Sequence, residues 1–331
     1  MNKPLLGVVD IGARGQPLTP PPAFIKCVKY FAIEADHDAA EQLRIDAGSW
    51  GFGAYSVLEA AISKDTSTHE LKIMRNPYAS SFIGVSENFR SRYGNAKWDE
   101  VGRKPMVTTT LDNLLSSGSL CYELPYILKV DVQGADLDVL MGAECFLNEF
   151  CVACVIELDF LGAYEVGPTA FKIGRLLEEH GFSLFGTYNT QYRSSGRLNP
   201  SNHAYSERLF WTDGIFFKDE LVFGNTHGTF DSRLGLENLK QGLIIAASYL
   251  GFHDYALEAL DQLPAGLVNS DLRAAVLSAA VPVLDSSFES DVHNLTNALR
   301  SEGAAVRAEL GMFVDKYRFH GSFGRCTKKS D

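Results

Sequence analysis

An alternation constrains this chain more than any other feature. Short apolar runs that read as buried strands recur along it, and helical patterns separate them. The strand candidates are "LLGVVDIG" (5–12), "KYFAIEA" (29–35), "SVLEAAIS" (56–63), "YILKVDV" (126–132), "CVACVIEL" (151–158) and "FSLFGTY" (182–188). Between them, 36–48, 135–149 and 168–181 carry apolar residues at helical spacing. Strands that are apolar on both faces need cover on both faces. That is the signature of a parallel sheet with crossover helices. Residues 207–222 then give two apolar runs with no helix between them, the pattern of a late antiparallel edge strand.

Two stretches break the rhythm. Prolines at 17, 20, 21 and 22 fill the connection after the first strand. Each costs about 3 kcal/mol inside a helix, so a loop with one helical turn after Pro22 is expected there. Residues 75–105 are too long for a passive connection and read as a site loop or lid. From about 228 the texture turns alanine- and leucine-rich and helical, with no strand signal. "YLGFHDYALEALDQL" resembles a tetratricopeptide-like helix pair, without a second copy at a fixed period. The expected division is an α/β domain over 1–227 and a helical appendage over 228–331, serving as cap or dimerisation module.

Charge and cysteines exclude several classes. A net charge of −11 with no long Lys/Arg block argues against binding a nucleic-acid backbone. No apolar stretch approaches the roughly 20 residues of a membrane span. The N-terminal apolar run leads directly into Asp10 and a glycine turn rather than a cleavage site, so a cytoplasmic protein is expected. Cys151 and Cys154 form the only C-x-x-C. On a strand their thiols should point to opposite faces, and with no second pair at zinc spacing they read as reduced core cysteines.

The chemistry gathers at strand ends. "VVDIGARG" (8–15) places Asp10, Gly12 and Gly15 after the first strand, where a doubly wound sheet binds its ligand. Glu34 in "FAIEAD" ends the second strand, well placed to accept hydrogen bonds from two ribose hydroxyls. A carboxylate at Asp10 repels pyrophosphate but suits a cofactor with a cationic end. That favours S-adenosylmethionine over a dinucleotide. "KVDVQGADLDVL" (129–140) carries acid into a buried strand end. Lys129 and Asp131 share one face, so Lys129 is expected to pair with Asp131 and keep it charged. Asp136 opens the next helix, where the dipole would hold it ionised.

These stretches resemble the FkbM-type S-adenosylmethionine-dependent methyltransferases. The strongest match is "LKVDVQGADLDVLMGA" (128–143). "VVDIGARG", "FAIEAD", "AISKDTS" (61–67), "ASSF" (79–82), "TTLDNLL" (109–115), "VIELDF" (155–160) and "DGIFFKD" (213–219) follow the family's order. One departure is Gly12-Ala13-Arg14-Gly15, where many members have Gly-Ala-Asn-x-Gly. The resemblance implies a Rossmann-like seven-stranded methyltransferase sheet with the last strand antiparallel. It also implies methyl transfer to an oxygen of a sugar, glycan or natural product. By position it implies cofactor contacts from Asp10, Gly12, Ala13, Arg14, Gly15, Glu34, Ala35, Ser63 and Ser81. Asp131 is then the general base or acceptor-orienting group, with Lys129 and Asp136 beside it. Tyr78, Glu157, Tyr192, Arg193 and Arg197 are candidates for the acceptor groove. Mg²⁺ is not expected; Asp131, Asp136 and Glu157 are the residues that would hold it. The helical tail leaves open a homodimer formed through it or a cap on the first domain. The competing readings are a non-catalytic binding module on the same fold and a nicotinamide-dependent oxidoreductase.

Overall fold

The computed structural model describes residues 3–93, 96–193, 208–223, 233–263, 270–280 and His293. Strand β1 (Leu6–Ile11) is buried throughout. The proline-rich loop that follows holds only a 3₁₀ turn, Ile25–Cys27, before β2 (Val28–Glu34). Helix α1 (His37–Asp46) starts at an Asp36 cap whose side chain accepts the Ala39 amide, and β3 (Ala54–Glu59) follows. The chain then leaves the main sheet. β4 (Ala61–Ile62), β5 (Thr68–Met74), α2 (Glu87–Tyr93) and β6 (Glu100–Thr109) build a small three-stranded sheet in the order β4-β6-β5. It returns through α3 (Leu111–Ser116) to β7 (Tyr126–Val130), α4 (Asp136–Met141), α5 (Glu144–Glu149), β8 (Cys151–Asp159) and α6 (Ala170–Glu179). The sheet closes with β9 (Ser183–Arg193) and β10 (Arg208–Phe217), and α7 (Glu220–Phe223) follows. Helices α8 (Leu236–Tyr249), α9 (His253–Asp261) and α10 (Ser270–Ala280) complete the described chain.

The main sheet has the order β3-β2-β1-β7-β8-β10-β9, the expected seven-stranded, mostly parallel Rossmann-like arrangement. β10 is the antiparallel strand, but it is not at the edge. It inserts between β8 and β9 and pairs with both. Its burial explains the apolar 214–217 run. Three further expectations need correction. The 56–63 run splits, with Ala54–Glu59 in the main sheet and Ala61–Ile62 in the small one. Residues 75–105 are more ordered than a loop, containing α2 and the first half of β6, which pairs antiparallel with β5 in a charged ladder. The single helix over 135–149 is two short ones. It breaks at Gly142, where a Cβ would lie 2.3 Å from the Ser63 carbonyl oxygen. Asp112 then accepts the Cys145 and Phe146 amides at 2.9 and 2.8 Å, starting α5 anew.

The cysteine geometry also differs from expectation. Opposite β7, Tyr126 pairs with Cys151 but Ile127 pairs with Ala153, so β8 carries a bulge at Val152. A bulge inserts one residue and breaks the two-residue alternation. Both thiols therefore come to one side, their sulfurs 3.6 Å apart and buried.

Helix α8 belongs to the same core as the sheet. Every residue from Gly242 to Tyr249 is buried, as in a helix covered all round. It packs on β1, β7 and β8. Gly242 lets it settle on the Pro125 ring, where a Cβ would lie 2.3 Å from a ring carbon. Tyr249 donates its hydroxyl hydrogen to the Leu18 carbonyl in the proline-rich loop. The tail thus covers the sheet beside a connection that supplies no crossover helix.

Candidate active site

The parallel strands end in acids, and the loops around those acids tie one strand end to the next. Asp10 is 1% exposed. One of its carboxylate oxygens accepts the Tyr30 hydroxyl at 2.5 Å and the other accepts the Lys129 ammonium at 2.7 Å. The pairing of Lys129 is therefore with Asp10 on the neighbouring strand, not with Asp131 as its position along β7 suggested. Register explains it, since Asp10 lies directly beside Lys129 in the β1–β7 ladder. Burial works to lower the Lys129 pKa, but Asp10, then Asp131 and Asp213, outweigh it and hold the ammonium well above its ordinary range.

After Ile11 the chain turns sharply. The amides of Gly12 and Ala13 both donate to the Ile33 carbonyl, at 3.0 and 3.2 Å. Gly12 has φ +78°, and a Cβ there would lie 2.1 Å from the Asp131 backbone oxygen. Only glycine permits this approach. The Asp131 amide in turn donates to the Ile11 carbonyl at 3.0 Å. The glycine loop and the end of β7 are thus one structural unit.

The segment from Asp131 to Asp136 is built around side chains that hold backbone. Gln133 sits in the left-handed region at φ 57°, and Gly134 follows at φ 93°. A Cβ on Gly134 would lie 2.5 Å from the Tyr164 ring. Asp136, 1% exposed, accepts the Val132 amide at 3.1 Å and the Gly134 amide at 3.0 Å. Burial, and then the charge of Asp131, push its pKa up to about 7. Desolvation thus works against the charged form that a helix dipole was expected to favour. Gln133 bridges two groups. Its Nε2 donates to Asp131 Oδ1 at 2.6 Å, and its Oε1 accepts the Tyr164 hydroxyl at 2.9 Å. Burial, then Glu157, Asp136 and Asp131, raise the Tyr164 pKa well above its ordinary value, so the phenol remains the donor. A donor phenol and an acceptor carboxylate together fix which way the amide faces. Asp159 delivers Tyr164 to this place, its carboxylate accepting the amides of Leu161, Gly162 and Ala163.

The sequence pattern of the methyltransferase FkbM domain matches residues 10–184, more than half of the chain. The chain belongs to the FkbM methyltransferase family. No curated protein and no solved structure matches it. Among the described residues no helix is long and apolar enough to cross a membrane.

Within this methyltransferase, Glu34 ends β2 at 8% exposure, with Oε1 accepting the Asp36 amide at 2.9 Å. Burial raises its pKa, opposed by that amide and by Arg14. Arg14 and Tyr78 come together here, the guanidinium carbon 5.8 Å from the ring centre. Tyr78, expected in the acceptor groove, therefore stands beside the glycine loop. Ala35 continues the turn after Glu34. Gly15 has φ +113°, with no atom within 4 Å of a would-be Cβ. Ser63 is buried, its amide donating to the Thr109 carbonyl at 2.9 Å. Ser81 is also buried, with its hydroxyl 3.5 Å from the Val132 carbonyl and accepting the Ile83 amide at 3.0 Å.

On the other side of Asp131, Glu157 lies directly opposite Asp213 across the β8–β10 ladder. Asn189 donates to Asp213 at 3.2 Å and takes a left-handed φ of 54°. Arg193 stacks over Phe210 at 4.6 Å, whereas Tyr192 is exposed; Arg197 lies outside the described residues. Phe210 belongs to an aromatic group with Phe89 and Trp98 that reaches Tyr164. The ligand atoms of Asp131, Asp136 and Glu157 do not converge. Among the described residues the only converging triad of metal-ligating types is the exposed His37, Glu41 and Glu59. Sequence reasoning missed Tyr30, Gln133, Tyr164, Asn189 and Asp213. Gln133 and Asp213 carried a signal, since they sit inside the 128–143 and 213–219 stretches.

Proposed function

We propose that this methyltransferase uses S-adenosylmethionine to O-methylate a hydroxyl of a sugar, glycan or natural-product acceptor. One observation carries the reading: the glycine loop and Asp131 are in backbone contact, so the best-placed base adjoins the expected cofactor loop. When bound, S-adenosylmethionine supplies a methyl carbon already activated by its sulfonium. The residues fit such a group. Glu34 offers a buried carboxylate to ribose hydroxyls, and the backbone at Gly15 is open to close approach. Asp10 plays a different part from the one its sequence position suggested. Paired with Lys129, it fixes the strand ends rather than meeting a cationic ligand.

Asp131 Oδ1 is held by Gln133, which leaves Oδ2 to take the proton of the acceptor hydroxyl. The Gln133–Tyr164 pair keeps that carboxylate in place, so orientation is set before the acceptor arrives. The half-buried position of Asp131 lets the proton pass on to solvent.

Calorimetry with S-adenosylmethionine, S-adenosylhomocysteine and NAD⁺ tests the reading. Both sulfur ligands should bind, and Glu34→Ala should weaken them at least about tenfold, or 1.4 kcal/mol. Failure of the intact protein to bind either one removes the proposal. Binding of NAD⁺ alone moves the chain to nicotinamide chemistry.

A further inference from the structure

The family resemblance assigns Arg14 by position only and gives its side chain no role, because many members carry asparagine there. The structure gives this residue three partners from three segments. Its Nη2 lies 3.0 Å from Asp36 Oδ1 and 3.9 Å from Glu34 Oε1, and its guanidinium covers Tyr78 at 5.8 Å. Its side chain is 22% exposed, so solvent screens these contacts only in part. The arrangement joins the loop after β1, the turn after β2 and the 3₁₀ turn Pro77–Ala79.

The geometry around Glu34 is asymmetric. Oε1 accepts the Asp36 amide and faces Arg14. At 3.9 Å the guanidinium is too far for a hydrogen bond but close enough for charge attraction. A ligand hydroxyl approaching Oε2 therefore need not displace it. We propose that Arg14 is a positioning residue for the cofactor ribose, anchored by Asp36 and Tyr78 so that its charge keeps the buried Glu34 carboxylate ionised and hydroxyl-accepting. This rests on the reading of Glu34 as the ribose ligand.

Other charges surround the site. Asp36 lies on the same turn, and Glu59 is the register partner of Glu34 on β3. Glu59 is held by His37 at 2.9 Å and Arg44 at 3.8 Å. Burial favours a proton on Glu34, and Arg14 opposes it. Removing Arg14 should therefore make ribose binding fail as pH falls, because a protonated carboxyl group accepts fewer hydrogen bonds.

The test is calorimetry of S-adenosylhomocysteine at pH 8 and pH 5.5. Its own groups do not titrate between these values, and the variants are made in a His37→Gln background to silence that imidazole. Arg14→Gln is expected to lose at least about fivefold more affinity than the parent over this interval. Arg14→Lys, which keeps the charge, should restore most of the parental pH profile. Equal pH dependence in parent and Arg14→Gln overturns the proposal, as does an equal loss at both pH values, which marks a purely structural role. Failure of Arg14→Lys to rescue also overturns it. If the parent does not bind at all, the assignment of Glu34 falls with it. If the parent binds and only Glu34→Gln abolishes binding, the assignment of Glu34 stands and Arg14 is excluded.

Discussion

Replacing Lys129 by methionine keeps the aliphatic stem and removes the cation that neutralises Asp10. The pair is separated by 2.7 Å, with Asp10 at 1% and the Lys129 side chain at 20% exposure. At an effective dielectric constant of about 20, unit charges this close attract by about 6 kcal/mol. The Tyr30 hydroxyl stays on Asp10 in the variant, and residual solvent reaches Lys129, which lowers the net loss. Breaking one side of a buried pair costs about 3–5 kcal/mol, and the lower end is expected here. Urea denaturation at pH 7 should show a stability loss of about 3 kcal/mol with an unchanged m-value. The raised Lys129 pKa also fixes the sign of the pH dependence. The pairing stabilises the fold throughout the range below ordinary lysine titration and is lost only as strong alkali removes the proton. Asp10→Asn combined with Lys129→Met should regain at least half of the loss. A loss under about 1 kcal/mol, or a double variant no better than the single one, refutes the view that Lys129 exists to satisfy Asp10.

Gly12→Ala should cost at least about 3 kcal/mol in thermal or urea denaturation, since a methyl group would meet the Asp131 carbonyl and φ is positive. Preserved stability would mean that the two strand ends can separate. Asp136→Asn loses one of two amide contacts and should destabilise the protein by roughly 1–2 kcal/mol at pH 5. The Asp136 pKa is raised, so the stability it provides is full below the unfolded value and is lost as pH rises through about 7. The difference between wild type and variant should therefore shrink by pH 8, and a constant difference would show that Asp136 does not titrate there.

The main sheet was legible because buried parallel strands write themselves as unbroken apolar runs, as at Tyr126–Val130 and Cys151–Asp159. The small sheet was not, because β6 is largely exposed and carries Glu100, Arg103 and Lys104 in place of an apolar signature. The acids at the strand ends could be found by position, since Asp10, Glu34 and Asp131 each interrupt or end such a run. Their partners could not. Asp10 meets Lys129 from 119 residues away, and the Tyr164 hydroxyl reaches Gln133 across 31. Local spacing favoured Asp131 for Lys129, whereas sheet register chose Asp10. The same limit hid the bulge at Val152, which turned two thiols from opposite faces to one.

The covering of β1, β7 and β8 by α8 has a consequence for how the chain is made. A growing chain emerges with its N-terminal part first, and domains fold as units when their parts are present. The segment that matches the family ends at residue 184, but Ile244, Ile245 and Tyr249, which lie against its apolar core, emerge only later. Until then the nascent sheet holds a sticky face toward solvent, and the Leu18 carbonyl waits for a hydroxyl group not yet synthesised. A stop codon anywhere between the two would release an adhesive fragment rather than a smaller enzyme.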